Sequence, residues 1–302
     1  MPCYRPLKAY RSLSQGGKVV LSKPYPFAKS FDLPCGKCIG CQLDRSRAWA
    51  LRCVHEASLH DENCVITLTY DDDHLPRYGA LEKGALQKFW KRLRKRFPGR
   101  TIRYLACGEY GSDLGRPHFH ACIFGLDFAD KRLFSVRGDI RLFVSDTLAS
   151  LWPFGFSSVG EISFASAAYV ARYVTKKVYG DDAEHHYTRL CPETGELVEV
   201  PPEFLVMSRG GRTGKGLAHA WFQQFSSDLY PSDFAVVQGQ KYKVPRYYDK
   251  NLEAVNPDLF LSIRDQRIER ALERAANSTP ERLKVREKVA RSKLSLKSRS
   301  LK

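Results

Sequence analysis

The chain has 302 residues, which is long enough to bury a substantial hydrophobic core in one large domain or two smaller ones. Hydrophobic residues make up 43% of the sequence, which excludes a largely disordered chain. We find neither an apolar run that could span a bilayer nor the apolar centre of a secretory signal, so we expect a cytosolic protein without a membrane partner. The formal net charge of +16 is typical of a protein that binds a polyanion, most often nucleic acid.

The first part of the chain contains a cysteine cluster. An irregular stretch with proline and glycine is predicted up to residue 34, and the motif CGKCIGC follows with Cys35, Cys38 and Cys41. Together with the distant Cys3, these residues would complete a Cys₄ zinc site. The spacing also resembles iron–sulfur ligation, although the following x3-Cys-Pro is missing, and free thiols are the third alternative.

The other cysteines have a simpler interpretation. Nine cysteines in all argue against a disulfide framework, because the number is odd and the expected compartment is reducing. We expect small buried hydrophobic residues at the remaining positions: Cys53, Cys64, Cys107, Cys122 and Cys191.

Three elements are predicted next along the chain. A helix is expected over residues 43–59, and the β-branched sequence VITLTY predicts a strand over residues 65–70. Apolar residues at spacings of i, i+3, i+4, i+7 and i+11 predict a helix over residues 82–97 with one buried stripe. The opposite face of this helix is basic, and we predict that it binds DNA through Lys88, Lys91, Arg92 and Lys95.

A hairpin follows, with strands predicted over residues 103–109 and 118–124. The second strand contains His118 and His120, and side chains two apart on a strand project to the same face. Two imidazoles aimed at one point are half of a metal site. The alternative is an exposed strand face that carries two histidines.

A third ligand is needed before the two histidines can hold a divalent ion. Glu109 ends the preceding strand, and a hairpin would bring it beside His118. Two imidazoles and one carboxylate suit Mg²⁺ or Mn²⁺, or zinc if the geometry is tetrahedral. In the alternative interpretation Glu109 is a surface charge at a turn, and Asp113 and Glu161 are reserve ligands.

The remaining elements complete an α+β fold. A short helix is predicted over residues 146–151, a strand over 156–162 and a helix over 165–178. This order of strands and helices predicts an antiparallel sheet with helices packed on one face.

In the last third of the chain the sequence signals for helices and strands are weaker. The segment SRGGRTGKG, residues 208–216, is a flexible basic loop, and it is not a P-loop because Gly216 follows the Gly-Lys pair. From residue 256 the chain is predicted to be helical, and residues 281–302 are predicted to form a basic, partly disordered tail.

The predicted helix over residues 165–178 contains YVARYVTKK. Tyr169 and Tyr173 are four residues apart and therefore lie on one helical face, with Lys177 on the same stripe and Lys176 beside it. Arg172 is the predicted DNA contact of this helix. Tyrosines at this spacing are commonly half-buried packing residues. In a basic protein with a metal site, however, a phenol could attack a metal-bound DNA phosphate, which would leave a 5′-phosphotyrosine link and a free 3′-hydroxyl.

These motifs resemble those of a known family. His118-Phe119-His120 resembles the His-hydrophobic-His motif of HUH endonucleases, the enzymes that start rolling-circle replication. Residues 65–70 resemble the first strand motif of that family, and YVARYVTKK resembles its two-tyrosine motif. The opening MPCYRP, the segment PCGKCIGC and YVARYVTKK are similar to the replication initiators of microviruses, especially of the gokushovirus branch. The resemblance covers about residues 1–225.

The resemblance implies a division of labour among the candidate residues. His118, His120 and Glu109 would hold Mg²⁺ or Mn²⁺. One tyrosine would cut the origin strand, and the other would cut again and transfer the strand to release a circle. Lys176 or Lys177 would position or neutralise the phosphate. The implied partners are single-stranded DNA at a viral origin, a host helicase and a host DNA polymerase, and the implied location is the cytoplasm of a bacterial host.

Two alternatives and a domain division complete the expectations. A transposase or conjugative relaxase would use the same chemistry, but the microvirus-like N-terminus disfavours it. A non-catalytic, zinc-stabilised nucleic-acid-binding protein would carry the same residues as packing groups. The expected division is a cysteine-rich segment at residues 1–62, a nuclease core at 63–180 and an accessory region with a basic helical tail at 181–302.

Overall fold

The computed structural model of the chain contains two compact units. It describes residues 3–111, 114–138, 140–172, 177–178, 180, 182–191, 193–209 and 215–296. The first unit contains the described residues up to Arg45 together with those from Asn256 onward, and the second contains the described residues from Ser46 to Val255. The predicted division at residues 62 and 180 stays a prediction.

The elements are numbered in chain order. The strands are β1 Leu7–Ser12, β2 Lys18–Val20, β3 Ser30–Leu33, β4 Asn63–Thr69, β5 Arg103–Tyr110, β6 Pro117–Phe124, β7 Arg132–Arg137, β8 Ile140–Val144, β9 Ser157–Gly160, β10 Thr188–Leu190, β11 Leu197–Glu199, β12 Phe204–Met207, β13 Phe234–Val237 and β14 Gln240–Lys243. The α-helices are α1 Ile39–Ala57, α2 Lys83–Arg96, α3 Asp146–Leu151, α4 Phe164–Arg172, α5 Asp182–Tyr187, α6 His219–Phe225, α7 Arg246–Val255, α8 Pro257–Glu273 and α9 Pro280–Ser295. Among the residues that the structure describes, no helix is long and apolar enough to cross a membrane.

The first unit contains a small antiparallel sheet in the order β2-β1-β3. The prediction of an irregular segment up to residue 34 is therefore wrong, because β1 pairs with a neighbour on each side. From residue 256 the chain is helical as predicted, and α9 is an ordered helix within the tail that was predicted to be partly disordered. That helix begins at a Thr279 cap, whose hydroxyl accepts from the Arg282 N–H, and it buries Leu283. Residues 297–302 of the predicted tail lie outside the described residues.

The second unit is built on an antiparallel sheet, whose described strands have the order β12-β5-β6-β4-β9-β8-β7. The predicted strands over residues 65–70, 103–109, 118–124 and 156–162 correspond to β4, β5, β6 and β9. The predicted helices over residues 43–59, 82–97 and 146–151 correspond to α1, α2 and α3. The α+β class and the antiparallel sheet are thus confirmed.

Helices cover both faces of this sheet. On one face, Phe119 and Ile123 of β6 share a buried cluster with residues of α2 and α3. On the other face, Cys122 and Phe124 of β6 pack with residues of α1 and α4. The prediction of helices on one face is wrong, because β5 and β6 are apolar on both sides and each side must be covered.

The helix predicted over residues 165–178 is observed as α4, with a difference at its end. Residues 173–176 lie outside the described residues, and Lys177 and Val178 are not helical. The Val178 N–H donates to the Tyr187 hydroxyl at 3.0 Å, so this backbone donor is satisfied by a side chain instead of by a helical carbonyl.

Candidate metal centre

The pairing of three strands brings the candidate ligands together. β5 and β6 pair antiparallel with Glu109 opposite His118, as the predicted hairpin requires. β4 pairs with β6 on the other side and places Thr67 opposite His120. Because His118 and His120 are two residues apart, both side chains project to the same face as Glu109. One ligand atom of each of these three residues lies within 4.8 Å of the other two.

The carboxylate lies between the two imidazoles. The Nε2 atom of His118 is 2.5 Å from Oε1 of Glu109, and the Nε2 atom of His120 is 3.3 Å from the same oxygen. Glu109 is 2% exposed and His120 is 7% exposed, whereas His118 is half-buried. A carboxylate this deeply buried needs a compensating positive charge.

The ring nitrogens that point away from Glu109 are fixed by neighbours. Nδ1 of His118 is 3.1 Å from the Arg116 carbonyl oxygen, which can only accept, so this nitrogen carries a hydrogen. A neutral His118 would then direct the lone pair of Nε2 at the carboxylate of Glu109, which is repulsive. The geometry therefore requires a proton or a metal ion at this point.

His120 is oriented in a comparable way. Its Nδ1 atom is 2.9 Å from the Thr67 hydroxyl, which can accept a hydrogen bond and leave the Nε2 lone pair for a ligand. Metal-bound histidines in proteins commonly have their second nitrogen bonded to such a partner. The three side chains could thus hold a divalent metal ion.

The protonation of Glu109 also suits a ligand. Burial alone would raise its pKa, but the hydrogen bonds with His118 and His120 and the charges of these residues outweigh burial, so its pKa is lowered. The carboxylate is therefore ionised at neutral pH, which is the form that binds a metal.

Helix α4 carries a tyrosine next to this cluster. The ring centroids of Tyr169 and His120 are 5.5 Å apart, and the rings are nearly perpendicular. The helix is held on this face by the buried side chains of Ala167 and Val170, and by the Ser46 hydroxyl, which donates to the Ala168 carbonyl at 2.9 Å. The sheet and the helix together thus set the position of the phenol.

The Tyr169 phenol is neutral in this environment. Burial raises the pKa of Tyr169 to about 12, the charge of Glu109 adds to this, and Arg172 opposes it. The Arg172 guanidinium is exposed and its Cζ lies 5.8 Å from the centroid of the Tyr169 ring. Tyr173 and Lys176 lie outside the described residues, and Lys177 is half-buried just beyond them.

The other candidate residues lie elsewhere. Lys88, Lys91 and Lys95 are exposed, but α2 covers the face of the sheet opposite the histidine cluster, so the structure does not bring them to this site. Arg92 is half-buried, and its Nε donates to the Leu151 carbonyl at 2.8 Å, which ties α2 to α3.

The two reserve ligands have different outcomes. Glu161 is exposed and pairs with Arg141 at 2.7 Å, away from the three ligands. Asp113 lies outside the described residues. Thr67 was not predicted as a site residue, although VITLTY contains the signal. Its two threonines are two residues apart and therefore lie on one face of the strand, beside the two histidines.

The cysteine cluster of the first unit is a second group that could hold a metal ion. The sulfur atoms of Cys3, Cys35, Cys38 and Cys41 lie within 4.8 Å of one another. Backbone N–H groups donate to three of these sulfurs: Tyr4 to Cys38, Cys35 to Cys3 and Cys38 to Cys35, at 3.2–3.3 Å.

Such bonds stabilise thiolates, which are the form that binds zinc. Burial opposes ionisation of Cys38, but the hydrogen bonds outweigh it and lower its pKa to about 7, whereas burial raises the pKa of Cys3 and of Cys41. The other cysteines are buried as predicted: Cys53, Cys64, Cys107, Cys122 and Cys191.

The fold and this centre define a basic α+β protein with a Glu-His-His cluster on its sheet that could hold a metal ion, and one family matches this region. Residues 63–178, which contain Glu109, His118, His120 and Tyr169, match the family described as Replication-associated protein ORF2/G2P. No solved structure matches the chain.

Three curated relatives extend the match to most of the chain. It is 34% identical over 286 residues to the Replication-associated protein ORF2 of Spiroplasma virus 4, which covers 86% of the chain and 83% of the relative. It is 31% identical over 274 residues to the Replication-associated protein VP4 of Bdellovibrio phage phiMH2K, covering 86% and 80%. It is 39% identical over 165 residues to the Replication-associated protein ORF4 of Chlamydia phage 1, covering 51% and 41%. The chain therefore belongs to the microvirus-type family of phage replication-associated proteins.

Proposed function

We propose that this protein initiates rolling-circle replication by nicking single-stranded DNA at a viral origin through a tyrosine. The observation that carries the proposal is the Glu109 carboxylate, which lies 2.5 Å from Nε2 of His118 and 3.3 Å from Nε2 of His120, beside the Tyr169 ring. The names of the relatives support a role in replication. The net charge of +16 supports binding to a polyanion.

The proposed ligands and nucleophiles are those of the HUH pattern. Glu109, His118 and His120 would hold Mg²⁺ or Mn²⁺, and Tyr169 and Tyr173 would be the two nucleophiles. A divalent ion at these ligands would act as a Lewis acid on a phosphate oxygen and reverse the negative local charge that contributes to the raised pKa of Tyr169.

The proposed reaction is a transesterification. The tyrosine oxygen forms a bond to phosphorus while the bond from phosphorus to the 3′-oxygen breaks. The phenolic proton leaves the tyrosine, and a proton ends on the 3′-oxygen, so the products are a 5′-phosphotyrosine link and a free 3′-hydroxyl. Because one phosphodiester replaces another, the reverse reaction rejoins the strand.

The chain's other candidate residues have supporting roles in this proposal. Arg172, exposed beside Tyr169, would bind the DNA backbone near the cut. Lys176 or Lys177 would neutralise the phosphate, and the second tyrosine would cut again to release a circle. The free 3′-hydroxyl would be extended by a host DNA polymerase behind a host helicase, in the cytoplasm of the bacterial host.

A gel assay tests the proposal. Single-stranded oligonucleotides that tile the genome encoding this protein are end-labelled, incubated with purified protein and Mn²⁺ or Mg²⁺, boiled in detergent and separated on a denaturing gel. We expect a covalent adduct on one oligonucleotide that is absent when EDTA is added before the protein. Retained DNA binding without an adduct on any tile would instead favour the non-catalytic nucleic-acid-binding protein.

A further inference from the structure

A second candidate site, which is basic, lies in the same unit as the cluster of Glu109, His118 and His120, at the other end of β5. It is an open groove of about 850 Å³, which we call the basic groove. Arg103 and Tyr104 at the start of β5 line it, while Glu109 of the metal cluster is near the end of the same strand. Glu109 is six residues beyond Arg103 along the strand, which is a distance of roughly 20 Å.

The lining of the basic groove is strongly cationic. Its described lining residues include five arginines or lysines and no aspartate or glutamate. The cationic residues are Arg94, Arg100, Arg103, Arg209 and Lys215. Arg209 and Lys215 come from the segment SRGGRTGKG, which the metal centre does not use.

Two of these cations form ion pairs with glutamates. Arg103 pairs with Glu56 at 3.0 Å and donates to the Lys215 carbonyl at 3.1 Å, and Arg100 pairs with Glu62. These contacts hold the wall of the groove in place, so the groove does not need a ligand to keep its shape.

The other three cations lie open to solvent. Arg94, Arg209 and Lys215 are exposed, and none of them forms an ion pair with another residue that the structure describes. Arg94 lies 5.8 Å from the centroid of the Tyr104 ring, which is itself stacked on Trp90 at 4.0 Å. Three unneutralised charges around one concave surface attract an anion.

We propose that the basic groove binds the sugar-phosphate backbone of single-stranded DNA outside the cleavage site. A phosphodiester chain fits an open, cationic groove that contains an aromatic ring. The assignment of this strand as the flank of the cut origin rests on the proposed function. Binding at both sites would engage one DNA strand at two points, near the two ends of β5, which are roughly 20 Å apart.

A charge-matched pair of variants tests this assignment. The test variant is Arg94→Gln/Arg209→Gln/Lys215→Gln. The control is Lys18→Gln/Lys23→Gln/Lys29→Gln, which removes the same charge from exposed lysines of the first unit. All six side chains are exposed, so both variants should fold, and thermal unfolding verifies this.

The readout is the salt dependence of DNA binding, measured by fluorescence anisotropy with a labelled oligothymidylate in EDTA. Each phosphate contact contributes about −0.7 to the slope of log K against log salt, so the test variant should lose about 2 of this slope. The control should keep the wild-type slope. Equal slopes in the two variants would overturn the proposal. A mononucleotide site in the groove would also overturn it, and such a site would let ATP displace the oligonucleotide far below the concentration at which inorganic phosphate displaces it.

This readout is independent of cleavage. A groove variant with an unchanged slope but a normal adduct would overturn the groove and leave the proposed function in place. A reduced slope in a protein that forms no adduct would support the groove and contradict the nicking function.

Discussion

Replacing Thr67 with valine tests how the proposed metal ligands are oriented. The Thr67 hydroxyl lies 2.9 Å from Nδ1 of His120, and valine has nearly the same shape without the acceptor. Without this acceptor, the imidazole of His120 is free to place its hydrogen on Nε2 or to rotate, and both changes remove a metal ligand.

The expected effect is on metal affinity. Loss of a hydrogen-bond partner behind a metal-bound histidine typically costs about 10- to 100-fold in affinity, or about 1.4–2.7 kcal/mol. The free energy of unfolding should fall by only about 1 kcal/mol, because one hydrogen bond is lost on a half-buried strand. The variant should therefore remain folded at room temperature.

The neighbouring Thr69 supplies a matched control. Its hydroxyl donates to the Phe156 carbonyl at 2.8 Å and does not orient a histidine, although it lies on the same strand face. Mn²⁺ binding to each protein without DNA is measured by electron paramagnetic resonance. Equal Mn²⁺ affinity of Thr67→Val and the wild type, or an equal loss in Thr69→Val, would refute the reasoning.

The other two predictions concern stability and the cysteine cluster. Burial lowers the pKa of His55 to about 4. As the pH falls below about 6.5, the unfolded chain takes up a proton at this residue before the folded chain does, so the free energy of unfolding falls by up to about 3 kcal/mol. Urea unfolding between pH 7 and pH 4 should show that the free energy of unfolding of His55→Gln falls less steeply with pH than that of the wild type. An identical dependence on pH would contradict this. Zinc analysis of purified protein should find the metal in the wild type and in Cys191→Ser but not in Cys38→Ser, and equal zinc in both variants would exclude the Cys₄ site.

The cluster of Glu109, His118 and His120 could be predicted because its geometry is local. The period of two along a strand places His118 and His120 on one face, and hairpin pairing brings Glu109 beside His118. Neither inference depends on the rest of the fold. The orientation of His120 depends on β4, and it could be found only once the pairing of Thr67 with this residue was known.

The arrangement of the helices could not be predicted in the same way. Which helix covers which face of a sheet depends on tertiary packing, so the sequence did not show that α2, whose lysines are predicted to bind DNA, lies on the face opposite the histidine cluster. In α9, a high charge density hid two apolar residues seven apart, Leu283 and Ala290, which pack beside the cysteine cluster. The strands β7 and β8 were not predicted: β7 is largely exposed and β8 is mostly half-buried, so their apolar residues do not form the buried face by which a strand is recognised.

The most direct test of the central claim is to locate the DNA on the protein. The oligonucleotide that forms an adduct is incubated with the wild type and with the Tyr169→Phe/Tyr173→Phe variant, and the adduct is digested with trypsin for mass spectrometry. The account predicts a nucleotide-modified peptide at Tyr169 or Tyr173 in the wild type, and no adduct in the double variant that still binds DNA. An adduct that persists in the double variant, or one that maps to another residue, would contradict it.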